Sequence, residues 1–241
     1  MNRGSKIINN VMLKSYVTTD WTKEVLKEMS DKNTLPVDHV NYLAYLANNN
    51  IKPNVIYDIG SAVKHWTNVA RQIWPTAQYY LFEGTRAMEC LYKNENYNID
   101  VLSNEEKIVD FYEHPYNPGG NSLYKENVEY CIITNEIYTP AYTFKRHTKR
   151  LDRVVAERMF PTPDFMKIDV QGAELEILRG AGDLLKTLDH LIVEISKVEY
   201  NLGSPKPETV IAGLEELGFV PKKMFFVENE IDGDCHFVRK T

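Results

Sequence analysis

The chain has 241 residues, of which 43% are hydrophobic and 26% charged, and its net charge is −6. That length and apolar content suffice for one α/β domain with a short extension, with a core that needs neither disulfides nor a structural metal. Net acidity speaks against sequence-independent binding to phosphate backbones, which requires a concentrated positive surface. Cys90, Cys131 and Cys235 are far apart and form no C-x-x-C pair, which argues against a zinc site and fits a reducing compartment. No long apolar run marks the N-terminus, so neither a signal peptide nor a membrane span is expected and the expected location is cytoplasmic.

In chain order, residues 1–19 are polar and mixed and read as a loosely docked leader. A short helix is expected from Thr22 to Met29. A longer one runs from Val37 to Asn48, where Val37, Val40, Leu43, Ala44 and Ala47 share a face. Residues 1–50 thus read as a helical lead-in that covers the edge or mouth of a main domain at 51–241.

From Asn54 strands alternate with helices. Val55–Asp58 has the look of a buried parallel strand. Residues from Val63 to Ile73 are spaced for a helix, stopped by Pro75. Tyr79–Phe82 is a second strand ending at Glu83, followed by a helix near Arg86–Lys93 and a third strand at Ile99–Leu102. Ile108–Glu113 alternates, as a strand with one wet face does.

Residues 115–127, rich in Pro, Gly and Asn, predict a long loop of the kind that is functional or mobile. Thr139–Val155 reads as strand-like segments forming a hairpin or an edge. Its basic cluster (Lys145, Arg146, His147, Lys149, Arg150 and Arg153) is read as a solvated edge in preference to a patch for an anionic acceptor. Then come a strand at Phe165–Val170, a helix at Glu174–Arg179 and a strand at Leu191–Ile195. A helix at Pro207–Leu217, stopped by Gly218, and closing strands at Phe225–Glu228 and His236–Arg239 complete the chain. The pattern predicts an α/β fold with a mostly parallel central sheet, helices on both faces and an antiparallel C-terminal end.

Ligands of such sheets bind beyond the carboxyl ends of the strands, where the strand order reverses. Three strands end there in polar residues. In Asp58-Ile59-Gly60-Ser61-Ala62, Gly60 permits a sharp turn and close approach of a ligand, Ser61 belongs to the same loop, and Asp58 can accept from an ammonium group. Glu83 suits two ribose hydroxyls. Ser103-Asn104-Glu105 suits the edge of an adenine. Beyond Gly60 the loop has no further glycine, so the fingerprint G-x-G-x-x-G is missing. A cofactor without a pyrophosphate fits it better than NAD does.

The most specific stretch is Lys167-Ile168-Asp169-Val170-Gln171-Gly172-Ala173-Glu174. Asp169 stands at a strand end and Gly172 makes the turn. Glu174 opens a helix, where a carboxylate also suits the helix dipole. Glu194, on the next strand, lies along the same edge. Convergent carboxylates either take the proton from a reacting hydroxyl or hold a hard divalent cation that orients and acidifies it. The residues leave both open.

Val55–Gly60, Phe82-Glu83, Gly119–Leu123 and above all Met166–Ala181, continued by Leu191–Ile195, resemble the FkbM family of methyltransferases, over roughly Asn54 to Arg239. The resemblance implies a class I methyltransferase (Rossmann-like) fold, S-adenosylmethionine as donor, and O-methylation of a sugar or another natural product. By the same resemblance Asp58, Gly60 and Glu83 contact the donor, while Asp169 and Glu174 line the reaction centre. Two departures stand out: Lys64-His65-Trp66 where members usually carry a second glycine, and Gln171 where a Glu is common. The expected function is therefore O-methyl transfer to a sugar or glycan, with no nucleic-acid partner. The rivals are methylation of an RNA cap or other nucleic-acid hydroxyl, and a catalytically silent module with this fold.

Overall fold

The computed structural model describes residues 21–32, 35–115, 117–127, 129–130, 142–225 and 231–240. Its main feature is a seven-stranded sheet in the order β3-β2-β1-β7-β8-β10-β9. The strands are β1 (Val55–Ile59), β2 (Gln78–Glu83), β3 (Asn96–Ile99), β7 (Phe165–Ile168), β8 (His190–Ser196), β9 (Phe219–Phe225) and β10 (Asp232–Arg239). The pairings among β3, β2, β1, β7 and β8 are parallel, and β10 is antiparallel to both β8 and β9. Strand order reverses between β1 and β7, which opens a crevice at their carboxyl ends.

Period-two alternation sorts the sheet's side chains onto two faces. Tyr57, Ile59, Phe82, Met166, Ile168 and Val193 enter one core with α4 (Leu151–Arg158), α5 (Glu174–Arg179) and α6 (Pro207–Glu216). Ile56, Leu81, Phe165 and Ile192 enter the other. That second core is completed by α1 (Lys23–Asp31) through Leu26, by α2 (Val37–Asn48) through Leu43 and Leu46, and by α3 (His65–Ile73) through Trp66 and Val69. The N-terminal helices thus cover one face of the sheet, with Leu26 and Leu43 fully buried.

A small second sheet, β4-β6-β5, is inserted between β3 and β7. It consists of β4 (Val101–Leu102), β5 (Ile108–Tyr112) and β6 (Thr143–Lys149). The apolar run Ile99–Leu102 is therefore two strands: the chain leaves the main sheet at Asp100, and Val101–Leu102 pair with Thr148–Lys149 instead. Three further expectations are corrected. Arg86–Leu91 is a 3-10 helix rather than an α-helix. The strand-like stretch ending at Val155 turns into α4, because Leu151, Val154 and Val155 follow helical spacing onto the core. The main-sheet strand at Phe165 stops at Ile168, leaving Asp169 and Val170 beyond its tip. The expected strand at Phe225–Glu228 is preceded by β9, which ends at Phe225; residues 226–228, like Cys131 and residues 1–19, lie outside the described residues.

The basic cluster is matched by acids. Lys145 pairs with Asp110, Arg146 with Glu113, Lys149 with Asp100 and Glu157, and Arg150 with Asp152, at 2.6 to 3.3 Å. Among the described residues no helix is long and apolar enough to cross a membrane.

Candidate active site

The crevice at the β1/β7 switch point holds a cavity of about 640 Å³. Its apolar walls come from Val101, Leu102, Phe111, Leu123 and Ile177, and its polar groups include Glu83, Asp100 and Asp169. Among the described residues no Lys or Arg lines it. Asp100 and Asp169 are paired from outside the lining, with Lys149 (3.3 Å) and Lys167 (2.9 Å), so the cations stay behind the wall and the lining itself presents carboxylates, which suits hydroxyl and ammonium groups better than a phosphate.

Glu83 ends β2 and is 7% exposed. One carboxylate oxygen accepts from the Thr85 N–H (2.8 Å) and the other from the Ala62 N–H (2.9 Å). Burial pushes its pKa up, against the pull of those backbone donors. Gly60, at φ +79°, brings β1's end into direct contact with the Asp169 backbone.

Where the third strand-end group was expected, the structure puts Asp100 and not Ser103 or Asn104. The Ser103 hydroxyl donates to Glu176 (2.8 Å), and the Asn104 carbonyl accepts from Arg150 (2.9 Å); neither residue lines the cavity. The cause is the strand break at Asp100, which sends the next residues into the small sheet. The signal was present as a charge interrupting Ile99-Asp100-Val101-Leu102.

The loop at 115–127 roofs the cavity through Pro118, Gly119, Asn121 and Leu123. It is tied down. Asn121 accepts from the His114 N–H (2.6 Å) and donates to Thr85 (2.6 Å). Ser122 donates to the Gln171 carbonyl (2.7 Å), and the Tyr124 hydroxyl bonds Glu176.

A second cavity, of about 1130 Å³, shares Gly60, Ala62, Gly119 and Asp169 with the first and adds Asp58 and Ser61. Asp58 is held by the Thr67 hydroxyl. Its pKa is raised to about 6 by burial, against Thr67 and Lys167. The Ser61 hydroxyl points inward, to the Phe82 carbonyl and the Tyr92 hydroxyl, and fixes the loop. The absent second glycine is explained here. Ala62 (φ +41°) and Lys64 (φ +68°) both adopt the left-handed conformation, at a cost of roughly 1–2 kcal/mol each. Lys64 is held there by Glu95 (3.1 Å), which Arg71 also grips.

Asp169 also borders a third cavity, a groove of about 1820 Å³ between α2 and β9–β10, together with Glu194. It is thus common to all three spaces. Its Oδ2 receives the Lys167 ammonium (2.9 Å) and its Oδ1 the Gln171 amide (3.1 Å). The same amide nitrogen donates to Glu194 (2.6 Å). The pKa of Glu194 is pushed well above the ordinary range by burial and by Asp169 and Asp232. Glu174 lies behind the turn instead. It accepts from the Val170 (3.1 Å) and Gly172 (3.0 Å) N–H groups and lines none of these three spaces. Burial raises its pKa to about 7.

Sequence reasoning missed the inner partners of Asp169. Lys167 is 2% exposed and pairs also with Asp234 (3.2 Å). Burial opposes its charge, but Asp169, Asp234 and Glu194 outweigh burial and hold its pKa up. Asp234 lies 2.8 Å from His39 Nδ1. The Trp66 indole N–H donates to His39 Nε2 (3.1 Å), so that nitrogen bears a lone pair. A lysine inside an apolar strand was the one visible signal; His39 and Asp234 reach the site only through the folding of α2 and β10.

A divalent cation does not fit this arrangement. The Asp169 and Glu194 oxygens that would ligate it face an amide N–H and an ammonium, both donors. Among the described residues no group of three His, Cys, Asp or Glu side chains is placed to hold a metal ion.

Comparison with known proteins completes the description. The family model of the methyltransferase FkbM domain matches residues 47–221. Similar solved structures include a precorrin-6y C5,15-methyltransferase from Geobacter metallireducens GS-15 (10% identity, 87% of this chain and 91% of that chain covered, TM-score 0.47). They also include magnesium protoporphyrin IX methyltransferase from Synechocystis PCC 6803 with bound SAM (13%, 89% and 79%, TM-score 0.46). A third is an O-methyltransferase of tomaymycin synthesis from Streptomyces achromogenes in complex with SAM (10%, 95% and 90%, TM-score 0.48). No curated protein matches.

Proposed function

Since the chain belongs to the FkbM methyltransferase family, with S-adenosylmethionine as its methyl donor, we propose that the acceptor is a hydroxyl oxygen of a sugar or glycan. The observation that carries the reading is the position of Asp169, which among the described residues is the one carboxylate bordering the switch-point cavity, its neighbour and the groove beyond.

The donor supplies an electrophilic methyl on a sulfonium. Glu83 would hold the ribose hydroxyls, Asp100 and the walls around Val101 and Leu123 would take the base, and the Gly60 turn would leave room for the sulfonium arm on the side of Asp58. Asp169 accepts a hydrogen bond from the acceptor hydroxyl and aims one oxygen lone pair at the methyl. Bound there, the donor would give up its methyl carbon to the acceptor oxygen, its sulfur keeping the electron pair of the broken C–S bond, and Asp169 would take the hydroxyl proton. Lys167 and Gln171 are positioning residues that fix that carboxylate in one orientation. Positioning of this kind is a major term in bimolecular transfer.

The test is transfer of labelled methyl from the donor to free glycans and to capped RNA, alongside calorimetric titration of the donor. Label on the sugar, removed by Asp169→Asn, supports the reading. Donor heat with label on RNA alone overturns the acceptor, and absence of donor heat overturns the enzyme.

A further inference from the structure

Resting on that reading, we infer that the groove between α2 and β9–β10 is the acceptor subsite and that it takes a sugar ring bearing no phosphate, preferably one carrying an amine.

Two observations converge on this groove. The first is its aromatic floor. The rings of Tyr42 and Tyr45 stack at 5.7 Å and 16°, and Phe225 lies 4.5 Å from Tyr42. Tyr42 is held by its hydroxyl, 2.9 Å from His236 Nδ1, while Tyr45 is 56% exposed. A pinned ring beside an open one offers a flat apolar face at little entropic cost, which suits the C–H face of a pyranose.

The second is the charge around it. Asp38, Asp169, Asp232 and Asp234 line the groove together with Glu194, which burial holds in its neutral form, and among the described residues Lys223 is the one lysine or arginine in the lining. The Lys223 ammonium lies 5.9 Å from the centre of the Phe225 ring. Lys167, behind the wall, offsets Asp169 and Asp234, and Asp38 stands exposed at the groove's edge. Carboxylates accept from sugar hydroxyls and, more strongly, from an ammonium. A phosphate placed there meets like charge on several sides, an interaction of order 1–4 kcal/mol per close pair. The basic residues Lys145, Arg146, Lys149 and Arg150, which would have welcomed an anion, lie on β6 and at the turn before α4 and are already paired with acids.

The groove also differs in origin from the donor cavity. All of the donor cavity's lining falls within the family match at 47–221. The aromatic floor and most of the acids, from Asp38 to Tyr45 and from Lys223 to Asp234, fall outside it. Acceptor choice is thus set by this chain's own flanking elements.

The experiment compares three matched acceptors, a glucosamine oligosaccharide, its N-acetylated form and a glucose phosphate, by labelled methyl transfer and by ligand-observed NMR binding. The amine form is expected to be used best and the phosphate at least tenfold less well than either. Tyr45→Ala is expected to weaken sugar binding about tenfold and leave donor affinity unchanged, and Asp38→Asn to reduce the preference for the amine. Equal or better use of the phosphate, or unaltered sugar binding in Tyr45→Ala, overturns the subsite. Sugar that binds in a Tyr45-dependent way yet receives no label overturns hydroxyl methylation while leaving the groove assignment standing.

Discussion

A β-carbon on Gly60 would lie 1.8 Å from the Asp169 carbonyl oxygen, so the ends of β1 and β7 meet through bare backbone. The Asp169 N–H donates to the Ile59 carbonyl (3.0 Å) in the same contact. This is how the switch point brings the loop after β1 and the Asp169 carboxylate together. Gly60→Ala adds a clash with main chain to a left-handed φ of +79°. It should destabilise the fold by about 3 kcal/mol or more and abolish donor binding. Thermal melting with calorimetric titration checks this, and a wild-type melting temperature would refute the contact.

Glu83→Gln should weaken donor binding by about 10- to 100-fold. The change replaces one acceptor oxygen with a donor, so a charged hydrogen bond worth about 1.5–3 kcal/mol is lost. Titration of S-adenosylmethionine reads the effect directly. Undiminished affinity removes Glu83 from the site.

Asp169→Asn should lower turnover by roughly 10²- to 10⁴-fold, the usual range for losing a general base, with donor affinity kept within about threefold. The amide retains shape but cannot take the hydroxyl proton. Single-turnover rates separate this from binding, and an unchanged rate ends the assignment.

Asp58 is expected to make stability depend on pH. Its folded pKa, raised to about 6 by burial, lies above the ordinary aspartate value near 4. The neutral form is thus the one the fold prefers, and its contribution is complete below about pH 4 and is lost as pH rises through 6. Asp58→Asn cannot ionise and keeps a partner for Thr67. Relative to the parent it should gain stability from pH 4 to 7.5, by at most about 3 kcal/mol. Urea unfolding of both proteins across that range measures the difference, and parallel curves contradict the prediction.

Chelation should leave the methyl-transfer rate unchanged within about twofold, and added magnesium should not raise it, because Gln171 and Lys167 occupy the faces of Asp169 and Glu194 that a cation needs. Gln171→Glu, which puts a third carboxylate there, should slow turnover through like-charge repulsion. A chelator-sensitive parent enzyme would reverse this view of the site.

Much of the polar lining of the switch-point cavity was readable before folding. Strands of buried apolar residues ending at Glu83 and Asp169 reveal themselves by local period and by the charge that stops them, and nearest neighbours in the chain suffice to see both. Ser103 and Asn104 were misplaced because the run Ile99–Leu102 is equally apolar on either side of Asp100, and only pairing with Thr148–Lys149 decides where the sheet ends. Glu174 stands at a helix start, as its sequence context indicates, but the turn folds so that its carboxylate caps backbone N–H groups.

By itself, then, the sequence determined the alternation of strands and helices, the acids at their tips and the Lys167–Glu174 turn, since each depends on residues close along the chain. Tertiary structure alone decided that His39, Lys167 and Asp234 form one buried set behind Asp169, and that α2 and β10 flank the groove beside it. Those contacts join α2, β7 and β10, far apart in sequence. Their geometry follows from strand order and helix docking, which no local pattern encodes.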